Sequence, residues 1–307
     1  MPVPMTQRTI EKVSYGGWPN CYRITNGRIE LIVTTDVGPR VIRYGFIDGQ
    51  NLFAELPGQM GGKGEKKWMA RGGHRLWSAP EMIPDSYALD NGPVAATVGD
   101  EKITLLQPVE PETGLQKEMT LELLPTGEVK VTHRIENMRD TTRAIAPWAL
   151  TQMAPGGVGI AQFPRRGGHS EQLQPTNPLV MWAYTDFSDP RWMLTKHYLV
   201  LKQNPSMQAP QKAGFFSEHT RAAYLLGTDL FIKRYEANPA VPYPDFHCSF
   251  EMFTNGDFLE LETLGPLVDL MSGFSATLLE TWSLHRDIYI NELNEGELHS
   301  VILPLLR

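Results

Sequence analysis

Met119-Thr-Leu-Glu-Leu-Leu-Pro-Thr-Gly-Glu-Val-Lys-Val-Thr-His-Arg-Ile135 holds the pattern on which the fold turns. Met119, Leu121 and Leu123 alternate with polar residues, as do Val129, Val131 and Ile135, and Pro125-Thr126-Gly127 stands between the two runs. Alternation of period two puts every second side chain on one face of a strand, and the Pro-Thr-Gly punctuation turns the chain back. The same grammar recurs in both directions from here. Asn26-Gly27 separates Cys21–Ile24 from Ile29–Val33, and Asn-Gly is the strongest short hairpin signal because both turn positions need positive φ. Asp48-Gly49 follows Val41–Ile47, and Asn255-Gly256 joins Ser249–Phe253 to Phe258–Leu261. Leu278, Glu280, Trp282 and Leu284 share one face of a further strand. No run of about 12 residues or more carries apolar positions at helical spacing. The reading is mainly β, a sandwich or barrel rather than βαβ units.

Composition narrows the function classes. The 307 residues carry 28 Lys and Arg against 35 Asp and Glu, a net charge of −7. A nucleic-acid binder needs a basic stripe to displace counterions from phosphates, so none is expected as a partner. No apolar run approaches the roughly 20 residues of a membrane span. Met1–Tyr15 has no apolar core of the secretory kind, and two cysteines, Cys21 and Cys248, make no disulfide framework. A cytoplasmic protein with reduced thiols is expected. Glycines (27) and prolines (24) are numerous, but no repeat or low-complexity linker divides the chain. One domain over 1–307 is expected, with 58–67 and 203–214 as long surface loops.

Several standard chemistries fail on spacing. Gly58–Gly64 lacks the Lys-Ser/Thr ending of a phosphate loop, and Gly156–Gly159 lacks the strand-turn-helix setting of a dinucleotide fingerprint. No HExxH, HxH, CxxC or GxSxG occurs. No cofactor and no metal set is expected.

The densest polar cluster is Arg71-Gly-Gly-His-Arg-Leu-Trp-Ser-Ala-Pro-Glu81. His74, Arg75, Trp77 and Glu81 there could supply a proton-transfer group, a cation, a stacking ring and a carboxylate, or simply decorate a surface loop. His133 lies on the apolar face of its strand and reads either as a hydrogen-bonded core residue or as a ligand-binding one. Glu260 and Glu262 share the strand face opposite Leu259 and Leu261. Trp148 and Trp282 are among seven tryptophans, rings that stack on sugars or pack a core. Lys212, Lys233 and Arg75 would favour an anionic ligand if they converge, and Asp245 sits in the aromatic, acidic loop Tyr243-Pro-Asp-Phe-His247.

In this order, these segments resemble the galactose mutarotase-like superfamily of aldose 1-epimerases and their bacterial relatives. Tyr22-Arg-Ile-Thr-Asn-Gly-Arg-Ile-Glu-Leu-Ile-Val-Thr-Thr-Asp-Val-Gly-Pro-Arg40 resembles the family's first hairpin, and Gly72-Gly73-His74 its substrate loop. Glu128–Asn137 resembles the strand before the catalytic-histidine segment, and Phe258-Leu-Glu-Leu-Glu-Thr-Leu-Gly-Pro266 the strand of the catalytic glutamate. Leu270–Ser275 and Glu280–Leu284 resemble the closing strands. The resemblance implies a galactose mutarotase-like β-supersandwich with a concave carbohydrate-binding face. It departs at one place: where the family has a histidine, this chain reads Ala146-Pro-Trp-Ala-Leu-Thr-Gln152, with Trp148 in or near that position.

Mutarotation needs a base at the anomeric hydroxyl and an acid at the ring oxygen. The resemblance thus implies Glu262 as base and a small carbohydrate, neutral or anionic, as partner; with Trp148 at the histidine's place, the acid would come from His74, His133 or another loop, and His74 is expected. Arg75, Lys212 and Lys233 would orient the sugar, and Trp77 and Trp148 would stack on it. Glu81, His133, Asp245 and Glu260 complete the expected binding set. Two other readings stay open: a non-catalytic sugar-binding or sensor module, and a glycoside lyase or hydrolase.

Overall fold

A computed structural model describes residues 8–306; residues 1–7 of the amino-terminal stretch read above lie outside them. The chain is 46% strand and 6% helix, arranged as two antiparallel sheets. Each turn signal closes a hairpin. Asn26-Gly27 lies between Trp18–Thr25 and Ile29–Thr34, Pro125-Thr126-Gly127 between Leu115–Leu123 and Val129–Asn137, and Asn255-Gly256 between Phe250–Thr254 and Leu259–Leu264.

The middle of the first sheet runs Arg40–Phe46, Gly73–Ala79, Arg143–Met153, Leu259–Leu264, Phe250–Thr254, Gln211–Phe215. The middle of the second runs His219–Leu226, Asp229–Glu236, Ser275–His285, Val129–Asn137, Leu115–Leu123. Between them lies the main core, with Tyr44, Phe53, Phe231 and Trp282 at mutual ring distances of 5.6 to 5.9 Å. Such tilted and edge-on pairs add roughly 0.5–1.5 kcal/mol each beyond burial.

Burial patterns distinguish the sheets. Leu115–Leu123 and Val129–Asn137 alternate between buried and half-buried, so one of their faces meets water. Gly73–Ala79 and Leu259–Leu264 are buried at every residue, and Arg143–Met153 from Ile145 onward. The middle of the first sheet is therefore covered on both faces, by the second sheet on one and by loops on the other. Charged residues on that loop-covered face are removed from water.

Two elements differ from the sequence reading. Residues 211–214, expected in a loop, form most of the strand Gln211–Phe215. The carboxyl end, Glu295–Leu306, is a helical segment whose Leu298, Ile302 and Leu306 cover Ile160, Val200, Ala223 and Ile232 on the outside of the second sheet. Leu298, Val301, Ile302, Leu305 and Leu306 do carry a helical spacing, interrupted by Pro304 in the last turn. No helix among the described residues is long and apolar enough to cross a membrane.

Candidate functional site

Register fixes which residues share the loop-covered face. Trp77 pairs with Trp148, and Trp148 with Leu264. In the next row lie Arg75, Leu150, Glu262, Glu251 and Gly214. Gln152, Glu260, Phe253 and Lys212 form the row after that. Gly214 is required here, since a Cβ would stand 2.8 Å from Glu251 Cγ. Gly72 and Gly73 open the Arg75 strand at φ of 97° and 76°, with their α-carbons against the Ala54 and Val41 carbonyls.

The chemistry centres on Glu262, which is completely buried. Its Oε2 accepts from Trp148 Nε1 at 2.8 Å and from Lys212 Nζ at 3.0 Å. Its Oε1, also buried, has no hydrogen-bond partner among the described residues. Lys212 Nζ also lies 2.7 Å from Glu251 Oε2 and 4.7 Å from the Trp148 and Trp182 rings. Burial works against the Lys212 ammonium, but Glu251 and Glu262 outweigh it and hold it well above its ordinary value. Burial drives the Glu251 carboxyl well above its usual range; Lys212 opposes this, and the charges of Glu262 and Asp245 add to it.

Glu260 is in a different setting. Gln152 Nε2 donates to its Oε1 at 2.9 Å. Burial, and then the charge of Glu262, push its carboxyl up to about 8. An aromatic wall stands beside these carboxylates. Trp77 lies 5.3 Å from Trp148, 5.5 Å from Trp68 and 5.0 Å from Tyr87. The Arg75 guanidinium sits 4.3 Å from the Trp77 ring and 4.5 Å from that of Trp68. Arg75 and Arg40 both face Asp90, at 4.0 and 2.7 Å.

The structure separates residues that the resemblance had grouped. Arg75, Trp77, Trp148, Lys212, Glu260 and Glu262 come together on the loop-covered face. Glu81 is exposed at its margin, where it accepts from the Tyr87 hydroxyl, and Asp245 lies on the turn near Glu251. His74, His133 and Lys233 are corrections. His74 follows Gly73 in a strand, not a loop, so its side chain points opposite to that of Arg75, into the core between the sheets. There it meets His133 and the ring of Trp282. Lys233, on the facing sheet, donates to the Leu261 carbonyl at 3.0 Å and pairs with Glu280 at 3.0 Å. None of the three side chains bonds to Glu262 among the described residues.

That interior cluster is a satisfied polar network. Glu280 accepts from Thr263 and from Trp282 Nε1, and Thr151 reaches His74 Nδ1 at 2.8 Å. His74, His133 and Glu280 have one ligand atom each within 4.8 Å of one another, but those atoms already have protein partners and Lys233 adds a positive charge. The sequence reading missed Glu251, Gln152, Trp68 and Tyr87. Glu280 was visible as a carboxylate on an otherwise apolar face, which must be paired when buried.

Comparison with known proteins agrees with this architecture. No family model matches the sequence, and no curated protein does. Among solved structures, a galactose mutarotase-like protein from Lactobacillus casei superposes with a TM-score of 0.58 at 12% identity, covering 87% of this chain and all of its own. A galactose mutarotase-like protein from Clostridium acetobutylicum gives 0.54 at 10% identity, over 91% of this chain and 99% of that one. A galactose mutarotase related enzyme from Lactobacillus acidophilus gives 0.54 at 8% identity, over 89% and 99%. This chain has the galactose mutarotase-like fold.

Proposed function

We propose that the loop-covered face binds a small sugar and interconverts its anomers, with Glu262 as the base. One observation carries this: Glu262 is fully buried, its Oε2 is fixed by Trp148 and Lys212, and its Oε1 has no partner among the described residues. A buried acceptor left unpaired costs roughly 1–3 kcal/mol, which a ligand hydroxyl would relieve. Trp77 and Trp148, both buried, line the same face, rings of the type that pack against sugars. The fold, shared with mutarotase-like proteins, supports the same substrate class.

The charges favour a neutral sugar. Arg40 and Arg75 face Asp90, and Lys212 faces two carboxylates, so these cations already have partners. Free, buried Cys21 and Cys248 support a cytoplasmic setting. The sugar-binding module remains the second reading, favoured by Trp148, because an indole N–H donates but shuttles no proton. Anomeric exchange, followed by NMR line broadening or magnetisation transfer across neutral, uronic and phosphorylated sugars, separates the two. Acceleration that disappears in Glu262→Gln supports the isomerase; saturable binding with no acceleration by the wild type supports the module.

A further inference from the structure

We infer that Glu260 is the proton donor to the ring oxygen, so that two carboxylates on one strand face take the place of a glutamate–histidine pair. The inference rests on the anomer-interconverting reading of Glu262. Residues two apart on a strand point the same way and stand roughly 6.6 Å apart along it. One O–C–O unit flanked by two hydrogen bonds of about 2.7 Å each fits that spacing. The anomeric hydroxyl and ring oxygen of a cyclic aldose are such a unit. Both side chains come from Leu259–Leu264, which is held on either side by Arg143–Met153 and Phe250–Thr254.

The surroundings assign the roles. The Lys212 ammonium and the Trp148 N–H donate to Glu262 and stabilise negative charge there. Glu260 has no such ion pair; the Gln152 amide donates to Oε1, which leaves Oε2 to carry a proton. Burial and the neighbouring Glu262 charge push Glu260 up to about 8, so it is mostly protonated at neutral pH. A carboxyl whose surroundings favour its protonated form, two residues from one that accepts from an ammonium, is the pattern of an acid and a base. No histidine bonds to either glutamate among the described residues: His74 and His133 lie between the sheets, His197 pairs with Glu295, and His219 with Glu236.

The step balances without a further reagent. Glu262 Oε1 takes the proton from the anomeric O–H, whose electron pair forms the new C=O bond. The bond from the anomeric carbon to the ring oxygen breaks, its pair goes to the ring oxygen, and that oxygen takes the proton from Glu260. Rotation of the open aldehyde and the reverse transfers close the ring with either configuration.

The test compares wild type, Glu260→Gln and Glu262→Gln on the same sugar panel, with exchange and binding measured separately. Glu260→Gln should lower exchange about 10²- to 10⁴-fold while saturable sugar binding persists, and wild-type exchange should decline as pH rises through about 8. Wild-type exchange that Glu260→Gln retains overturns the assignment and leaves the Glu262 reading standing. A wild type that accelerates no sugar overturns both. Should Glu260→Gln not fold, infrared spectra of the Glu251→Gln protein decide. A protonated-carboxyl band that titrates away near pH 8 supports the assignment, and its absence at pH 7 overturns it.

Discussion

His74 Nε2 lies 2.7 Å from His133 Nε2, a hydrogen bond that crosses from one sheet to the other. Its polarity follows from the ends of the chain of bonds. The Leu278 carbonyl, 3.1 Å from His133 Nδ1, can only accept, so Nδ1 carries the proton and neutral His133 accepts at Nε2. His74 therefore donates from Nε2 and accepts at Nδ1 from the Thr151 hydroxyl. The arrangement holds with both imidazoles neutral.

Protonation of this pair should therefore weaken the fold. Burial, then His133, Lys233 and Arg40, hold His74 well below 6.5, and burial lowers His133 as well. Below pH 6.5 the unfolded chain takes up protons that the folded chain refuses, so stability is full above that value and falls as pH drops. Each histidine contributes a slope of up to about 1.4 kcal/mol per pH unit. Glu251 and Glu260, raised in the fold, contribute in the opposite sense, so the pair is read as a difference: in urea denaturation between pH 7 and pH 5, His133→Gln should lose less stability on acidification than the wild type, even though it starts from a lower stability. An unchanged slope contradicts the neutral pair.

Lys212→Met tests the charge arrangement. Lys212 is 4% exposed and faces Glu251 and Glu262, both fully buried. Removing one partner of a buried ion pair costs about 3–5 kcal/mol. The loss should be greatest at high pH and smaller toward pH 5, because Glu251, already driven above its usual range by burial, binds a proton more readily once Lys212 is gone. A carboxyl raised in the folded state stabilises at low pH and loses that effect as pH rises. Thermal melts of both proteins at several pH values measure it.

Much of this was legible in the sequence, and the limit has a physical cause. Turn chemistry placed the hairpins, and alternation placed Glu260 and Glu262 on one face. Alternation reports which face is wet, however, and it is silent where both faces are buried. Gly73–Ala79 is buried throughout, so nothing in its polarity tells that Arg75 faces the loops and His74 the core. Lys233 has the same ambiguity, within the buried run Leu230–Lys233. Glu251 was hidden because a lone carboxylate in an apolar strand gives no sign of its partner until Lys212 is folded beside it.

Gly73→Ala should be the most disruptive single-methyl change in the site strand. At φ 76° an L-residue costs about 1–2 kcal/mol, and the added Cβ would strike the Val41 carbonyl oxygen, which overpacking penalises by a further 1–3 kcal/mol or so. Gly58→Ala is the comparison, because a Cβ there meets nothing within 4 Å and its φ is ordinary. Circular dichroism melts should show a large drop for the first and almost none for the second.

The last prediction separates the two tryptophans that flank Lys212. Trp148 and Trp182 both lie 4.7 Å from its ammonium, yet only Trp148 donates to Glu262. Trp148→Phe keeps an aromatic ring and removes the N–H, leaving Glu262 Oε2 with Lys212 as its remaining donor. A hydrogen bond to a charged group contributes about 1.5–3 kcal/mol, and that loss should appear in the stability of Trp148→Phe. Trp182→Phe keeps a ring near Lys212 and removes no bond to Glu262, so its change should stay below about 1 kcal/mol. Denaturant midpoints for the two variants settle the order. Equal losses would mean that the indole N–H does not hold Glu262, and with it would go the argument that Oε2 is fixed while Oε1 is left for substrate.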